Sequence, residues 1–337
     1  MDIRKTILTL CAVLSAVAAR AQFDTHFTHY WALQGYYNPA SAGLSGRLNL
    51  YGTYAMQMAG YTNAPTTMLI GADMVLPTEG LGTRLKPITD TLPKALVPVC
   101  GKPLIEHVLL KLKSAGVEEA VVNVHHFADK VQDWIGQQDW IYSETSDKET
   151  GKMLVQVSDE RKHLLETGGA VLAARQFLEG CGSFLIHNVD ILSDLDLRWF
   201  ASQMPQDAMA ALLVSERQSS RQLLFDPQTM SLVGWRNCST GEVRSPYRDL
   251  DPESCLALAF SGIHIMSDEV FDVMDDYVRS HGLDISGSPA RFPVMDFYLW
   301  ACARYNIYGV CAKDLHLIDV GKLDTLELAE QYVSSMK

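Results

Sequence analysis

Between Val97 and Asp190, short apolar runs of strand character alternate with single segments of helical period, and this alternation restricts the fold more than any other feature. Val97-Pro98-Val99 ends a first short strand. From Leu104 to Ala115, the residues Leu104, Ile105, Val108, Leu109 and Leu112 recur at spacings that share one helical face. Ala120-Val121-Val122-Asn123-Val124 reads as a buried strand and Phe127 to Trp134 as a helix. Met153-Leu154-Val155-Gln156-Val157 is the next strand, followed by a helix from about Gly168 to Leu178 and a strand at Ser183-Phe184-Leu185-Ile186-His187. Strands separated by single helices pair in parallel through right-handed crossovers. The expectation is an α/β fold with a doubly wound, mostly parallel, Rossmann-like sheet. Ligands of such sheets bind at the carboxyl ends of strands, and the candidate motifs fall there.

A chain of 337 residues, 47% of them apolar, suits one large α/β domain plus extra sequence, or two modest domains. The net charge of −12 argues against a broad basic face for nucleic acid. Anions must then be bound by local donors, such as loop amides and a few Lys or Arg. The cysteines Cys11, Cys100, Cys181, Cys238, Cys255, Cys302 and Cys311 are odd in number, scattered and without a C-x-x-C pair. They read as free thiols of a reducing compartment, not as a zinc site or disulfide framework.

The first residues point elsewhere. Arg4 and Lys5 precede an apolar run from Ile7 to Ala19, and Ala19-Arg20-Ala21 offers a small-x-small cleavage site before Gln22. Residues 1–21 therefore read as a secretory signal, the apolar run being short for a membrane span; a buried N-terminal helix is the alternative. Residues 22–73 are rich in Tyr, Thr, Ala, Gly and Asn, with few charges and no helical period. Leu48-Asn49-Leu50-Tyr51-Gly52-Thr53-Tyr54 alternates weakly, as a two-faced strand does. Through Tyr36-Tyr37-Asn38-Pro39-Ala40-Ser41-Ala42-Gly43 and Gly71-Ala72-Asp73-Met74, this stretch resembles the start of the PorP/SprF-type outer-membrane proteins of type IX secretion. Membrane association is implied only through this segment. The boundary near residue 74 sets off a second domain, 74–337.

Gly80-Leu81-Gly82-Thr83-Arg84-Leu85, followed by Pro87 and by Pro93-Lys94-Ala95-Leu96, carries the densest chemistry. Two glycines let backbone N–H groups approach a polyphosphate, and aligned amides in a turn make an anion nest. Arg84 can fork onto phosphate oxygens, and Lys94 adds a point charge. Asp190 ends Asn188-Val189-Asp190 just past a buried strand, where a carboxylate suits Mg²⁺; the plain alternative is a loop or cap residue.

With this loop the sequence resembles the sugar-1-phosphate nucleotidyltransferases, near the N-acetylmuramate-1-phosphate uridylyltransferases and mannose-1-phosphate guanylyltransferases, from about residue 80 to the C-terminus. The resemblance implies that Gly80, Leu81, Gly82 and Thr83 cradle a nucleoside triphosphate with Arg84 and Lys94 as the catalytic cations. It implies that Asn123, Glu166, Gly168 and Gly169 bind the nucleotide, the Glu166-Thr167-Gly168-Gly169 run lying against the base. Asn188 and Gly262 are implied at the sugar, and Asp319 joins Asp190 as a ligand of Mg²⁺. The implied reaction is in-line attack of a sugar 1-phosphate on the α-phosphorus of the triphosphate, with release of pyrophosphate for envelope or polysaccharide precursors.

Other residues have plainer readings beside the chemical one. His125 and His126 are adjacent on a strand and point to opposite faces, so they read as the end of that strand near the sugar or base pocket. Ser261-Gly262 is either a sugar contact or a bulge. Asp296 is either a family position or a helix-start carboxylate. Trp235 and Trp300 belong to packing.

The chain departs from the family at its entry, with Met74-Val75-Leu76-Pro77-Thr78-Glu79 where a first strand and two alanines are usual. Pro77 lacks the N–H of a central strand. A carboxylate at Glu79 beside phosphate repels it by about 4 kcal/mol at about 4 Å and an effective dielectric near 20. Three readings stay open: an active transferase with a foreign N-terminus, a fusion weak in catalysis, and a secretion component acting through residues 22–79. Nucleoside triphosphates and reduced thiols belong to the cytoplasm, while the signal leads out of it.

Overall fold

The computed structural model describes residues 49–56, 66–73, 85, 88–142, 151–283, 289–321 and 323–335. The chain divides into two compact units, Met1–Thr78 and Glu79–Lys337. The signal segment, the Tyr36–Gly43 motif, the junction residues Pro77 and Glu79 and the loop Gly80–Arg84 lie outside the described residues.

In the first unit, β1 (Asn49–Met56) and β2 (Thr66–Asp73) form an antiparallel hairpin with Asn49 opposite Asp73. The strand expected at 48–54 is thus present.

The second unit opens with the short pair β3 (Pro98–Val99) and β4 (Lys102–Pro103) and the helix α1 (Leu104–Ser114). Then follow β5 (Glu119–Val124), α2 (Ala128–Gly136), β6 (Ile141–Tyr142) and β7 (Met153–Asp159). Next come α3 (Glu166–Ala173), α4 (Arg175–Leu178), β8 (Ser183–His187), β9 (Ile191–Ser193) and α5 (Leu197–Ser202). The C-terminal part holds β10 (Ala210–Ser215), β11 (Arg221–Phe225), β12 (Leu232–Asn237), β13 (Val243–Arg244) and the long β14 (Leu256–Ser267). It closes with α6 (Val270–Ser280), α7 (Val294–Ala301), β15 (Ile307–Cys311), β16 (Leu317–Asp319) and α8 (Leu323–Ser335).

The α/β class stands, and the parallel pairing expected from single-helix crossovers is realised in the sheet β5-β7-β6, with Val124 level with Asp159. The larger sheet, β13-β12-β11-β14-β10-β15 with β8 also on β14, is mostly antiparallel; β10 and β15 are its parallel pair. The reason is the connections: β11, β12 and β13 follow one another through short loops, which return a strand antiparallel. The helix expected at 168–178 is two helices, because the Ala174 N–H bonds both Ala170 and Val171 carbonyls at 3.1 Å and tightens the turn there.

Four apolar clusters hold the unit together. The largest packs the inner face of the large sheet against α6 and α7 through Phe225, Phe271, Met274, Phe297 and Tyr298. Trp235 and Trp300 lie against that cluster, as packing residues should. A second seats α1 and α2 on the parallel sheet, and a third packs β8, β9 and α5. A fourth joins Leu85, Val97 and Val99 to Leu192, Val320 and Ala329, drawing together three segments far apart in sequence. Among the described residues no helix is long and apolar enough to cross a membrane. The described cysteines are free thiols.

Candidate active site

The fourth cluster fixes the site, because each of its segments continues into a charged residue. Val97 is preceded by a 3-10 turn, Lys94–Leu96, set up by extended Pro93 and closed by the Val97 N–H on the Lys94 carbonyl. Leu192 follows the turn that carries Asp190, and Val320 follows Asp319. Lys94 Nζ donates to Asp190 Oδ2 as an ion pair, the side chains 29% and 22% exposed. Asp319 lies opposite Ile191 in the antiparallel β9–β16 pair, and the Val320 N–H donates to the Asp190 carbonyl at 2.8 Å. The two carboxylates expected to share a metal thus stand at the neighbouring ends of β9 and β16, Asp190 in the turn just before β9 and against the expected cation. The Asp319 side chain folds over Gly321, where an added Cβ would stand 2.9 Å from Oδ1.

Asn188 and Gly262 also meet. The Asn188 N–H donates to the Gly262 carbonyl at 3.0 Å, and a Cβ on Gly262 would stand 2.6 Å from Asn188 Nδ2. Gly262 has φ +78, which a side chain rarely adopts. Here β14 bulges: Leu212 faces His264 and Val214 faces Phe260, so β14 carries extra residues across one step of β10. The two readings of Ser261-Gly262 are therefore compatible. The bulge presses the glycine onto Asn188, while Ser261 Oγ turns inward to the Leu213 carbonyl at 2.7 Å.

Of the other expected nucleotide residues, Asn123 lies at the carboxyl end of β5. Asn123 Nδ2 donates to Glu160 Oε1 at 2.7 Å and to the Ala170 carbonyl at 3.2 Å, tying the strand end to α3. Glu160 is buried; burial raises its pKa, against the Asn123 amide and the Leu165 N–H, which favour the carboxylate. Sequence reasoning missed Glu160; its signal was a carboxylate just past a buried strand, the same pattern that singled out Asp190. His125 closes the same strand end, its Nδ1 sealed from solvent and without a hydrogen-bond partner among the described residues.

Glu166 has φ +61, and its Oε1 accepts from Arg291 Nε at 3.0 Å and Nη2 at 2.7 Å. Gly168 and Gly169 both donate their N–H to the Phe292 carbonyl, and a Cβ on either would stand 2.4 Å from the 290–292 segment. In this structure these glycines secure close packing of α3 on that segment. Asp296, in the first turn of α7, pairs with Arg244 at 2.6 Å, in line with its plainer reading as a helix-start carboxylate.

Among the described residues no three His, Cys, Asp or Glu side chains converge on one point. Mg²⁺ needs less: one or two carboxylates, with phosphate oxygens and waters completing an all-oxygen shell. Asp190, in the turn just before β9, and Asp319, at the end of the adjoining β16, are oxygen donors and fit that requirement.

The family model for nucleotidyl transferases matches residues 74–222, and the model for the type IX secretion system membrane protein PorP/SprF matches residues 19–86. The N-acetylmuramate alpha-1-phosphate uridylyltransferase of Caulobacter vibrioides is 36% identical over 196 residues, covering 57% of this chain and 73% of that protein. The enzyme of the same name from Neisseria meningitidis serogroup B is 32% identical over 201 residues, covering 57% and 74%. Among solved structures, HddC from Yersinia pseudotuberculosis complexed with GMP-PN aligns with a TM-score of 0.53 at 20% identity, over 75% of this chain and 96% of that one. That last likeness speaks for the fold.

Proposed function

This chain belongs to the nucleotidyl transferase family, and we propose that its second unit joins a nucleoside monophosphate, taken from a triphosphate, to a sugar 1-phosphate. The observation that carries this is the meeting of Lys94, Asp190 and the Asp319 strand at one corner, beside the Asn188–Gly262 contact.

The attacking oxygen of a sugar phosphate is already an anion, so no general base is required. What opposes the reaction is repulsion between two polyanions. Lys94 offsets this at the phosphates, with Arg84 and the amides of Gly80–Thr83 as further donors. Asn188, held on the bulge, orients the sugar, while Asn123 and Glu160 present a fixed polar edge toward the nucleotide. Asp190 and Asp319 would hold Mg²⁺, which when bound neutralises phosphate charge and orients the α-phosphate. Lys94 shields Asp190 from neighbouring negative charge until phosphate draws the ammonium away.

The relatives name the first substrates to try. Full-length protein given UTP, N-acetylmuramate 1-phosphate and Mg²⁺ is expected to release pyrophosphate and form the UDP-sugar. The other ribonucleotides and several hexose 1-phosphates complete the panel. No release above a metal-free control with any pair overturns the reading. Triphosphate supply and the free thiols favour a cytoplasmic place of action.

The match over residues 19–86 and the β1–β2 hairpin favour a second reading, in which the first unit is the exported part of an outer-membrane secretion component. We divide the chain into a signal at 1–21, this segment at 22–73 and the transferase at 74–337. Recovering the chain from cells and sequencing its N-terminus separates the readings: an intact Met1 in the cytoplasmic fraction supports the enzyme, and cleavage after Ala21 in the envelope supports export.

A further inference from the structure

The short segment that carries Asp190 is gripped at both ends, and we propose that His187, aided by Lys111, is the positioning residue that sets Asp190 for metal and phosphate. This rests on the reading of Asp190 as a site carboxylate. His187 ends β8, where side chains alternate between faces. Phe184 and Ile186 pack into the cluster under α6, while Leu185 packs with β9 and α5, so His187 shares the face of Leu185.

The imidazole's chemistry is determined by its neighbour. His187 Nδ1 lies 2.8 Å from the Asn188 carbonyl oxygen. A carbonyl only accepts, so Nδ1 carries the proton and Nε2 the lone pair. Burial holds the ring's pKa at about 4, with the Lys111 ammonium also opposing protonation, so the ring donates as a neutral group. The same carbonyl takes the Ile191 N–H at 3.2 Å. Two donors on one oxygen thus close the turn 188–191, with Asp190 inside it.

At the other end, Lys111 Nζ reaches from α1 to the Ser193 carbonyl, and to Ser193 Oγ at 3.4 Å. Burial lowers the pKa of this ammonium, while Asp194 and Asp196 hold it charged. The two contacts bracket the segment 188–193.

Packing alone does not explain an imidazole here. Nε2 is sealed from solvent and has no hydrogen-bond partner among the described residues. A buried acceptor left unmet is unfavourable, and a leucine would fill the space without it. The ring is retained for its other nitrogen, the one on the turn.

The test measures metal binding to the full-length chain, by electron paramagnetic resonance of Mn²⁺ titrated with UTP present, alongside the melting temperature. His187→Leu is expected to weaken Mn²⁺ by about tenfold, the lower range for groups that orient a metal ligand. His187→Asn, whose amide N–H can stand where Nδ1–H stands, is expected to recover most of that loss. Lys111→Gln, acting at the far end, is expected to weaken Mn²⁺ in the same direction and keeps the test open should His187→Leu fail to fold. Wild-type affinity in His187→Leu, or equal weakening in His187→Asn and His187→Leu, overturns the proposal. Asp190→Asn separates the layers: if it binds Mn²⁺ like wild type, the reading of Asp190 itself is wrong. If it binds weakly while His187→Leu does not, only the positioning role falls.

Discussion

Lys94 and Asp190 are opposite charges held at a surface where water still reaches both, so their attraction does little for folding. Their value is in charge placement, and substitutions there should separate activity from stability. Asp190→Asn is expected to lower pyrophosphate release by about a hundredfold or more while moving stability by only about 0.5 kcal/mol. Near-wild-type turnover would reduce Asp190 to a loop cap. Buried His264 makes the opposite case. Its Nδ1 lies 2.5 Å from Tyr298 Oη, and burial lowers its pKa to about 3. Because the folded value lies below the unfolded one, this histidine's contribution is complete above about pH 6.5 and is lost as pH falls toward the folded value. Urea midpoints should therefore fall from pH 7 to 5, with a slope from this group of up to about 1.4 kcal/mol per pH unit. His264→Gln should flatten that slope; an unchanged profile would mean that the imidazole gains no proton on unfolding.

Among the elements, the bulge of β14 and the start of α3 do most to shape the site. In Gly262→Ala, a methyl would meet Asn188 Nδ2 at 2.6 Å on a backbone with φ +78. Stability should drop by about 1–3 kcal/mol from the strained conformation, and the displaced Asn188 should raise KM for the sugar phosphate more than KM for the triphosphate. Equal KM changes, checked by initial rates with each substrate varied, would detach Asn188 from the sugar. At α3, Gly169→Ala would drive a methyl to 2.4 Å from the Ala290 carbonyl and should lower the melting temperature by overpacking, an effect of about 1–3 kcal/mol. An unchanged melting temperature would show that the 290–292 segment moves aside freely.

For the whole molecule the question is the join between its units, where both family models claim residues 74–86. Replacing Pro77-Thr78-Glu79 with Phe-Ala-Ala supplies a backbone N–H at position 77 and removes a carboxylate ahead of the glycine loop. Nucleotide affinity is expected to rise about tenfold, which is about 1.4 kcal/mol, together with the melting temperature. Equal dissociation constants and equal melting temperatures in both versions would show that the unusual entry is harmless.

The sequence by itself determined most elements between Leu104 and His187, because helical and strand periods are local; it missed β6 and the break between α3 and α4. It also offered Lys94, from the Pro-Lys that follows the glycine loop, and Asp190, a carboxylate just past a buried strand, while Asp319 came from the family resemblance. What it could not express was relation across distance. The ion pair joins residues 96 positions apart, and Asp319 faces Ile191 through a register that no local pattern encodes. Glu160 carried the strand-end signal of Asp190, but its bond to Asn123 and its burial, which give it weight, are tertiary. The antiparallel part of the large sheet likewise followed from loop lengths and from β14, whose twelve residues serve three neighbours at once. Gly168 and Gly169, expected at the nucleotide, are the points where α3 meets the 290–292 segment. Close approach of two backbones is a property of the packed chain, and tertiary structure alone decided it.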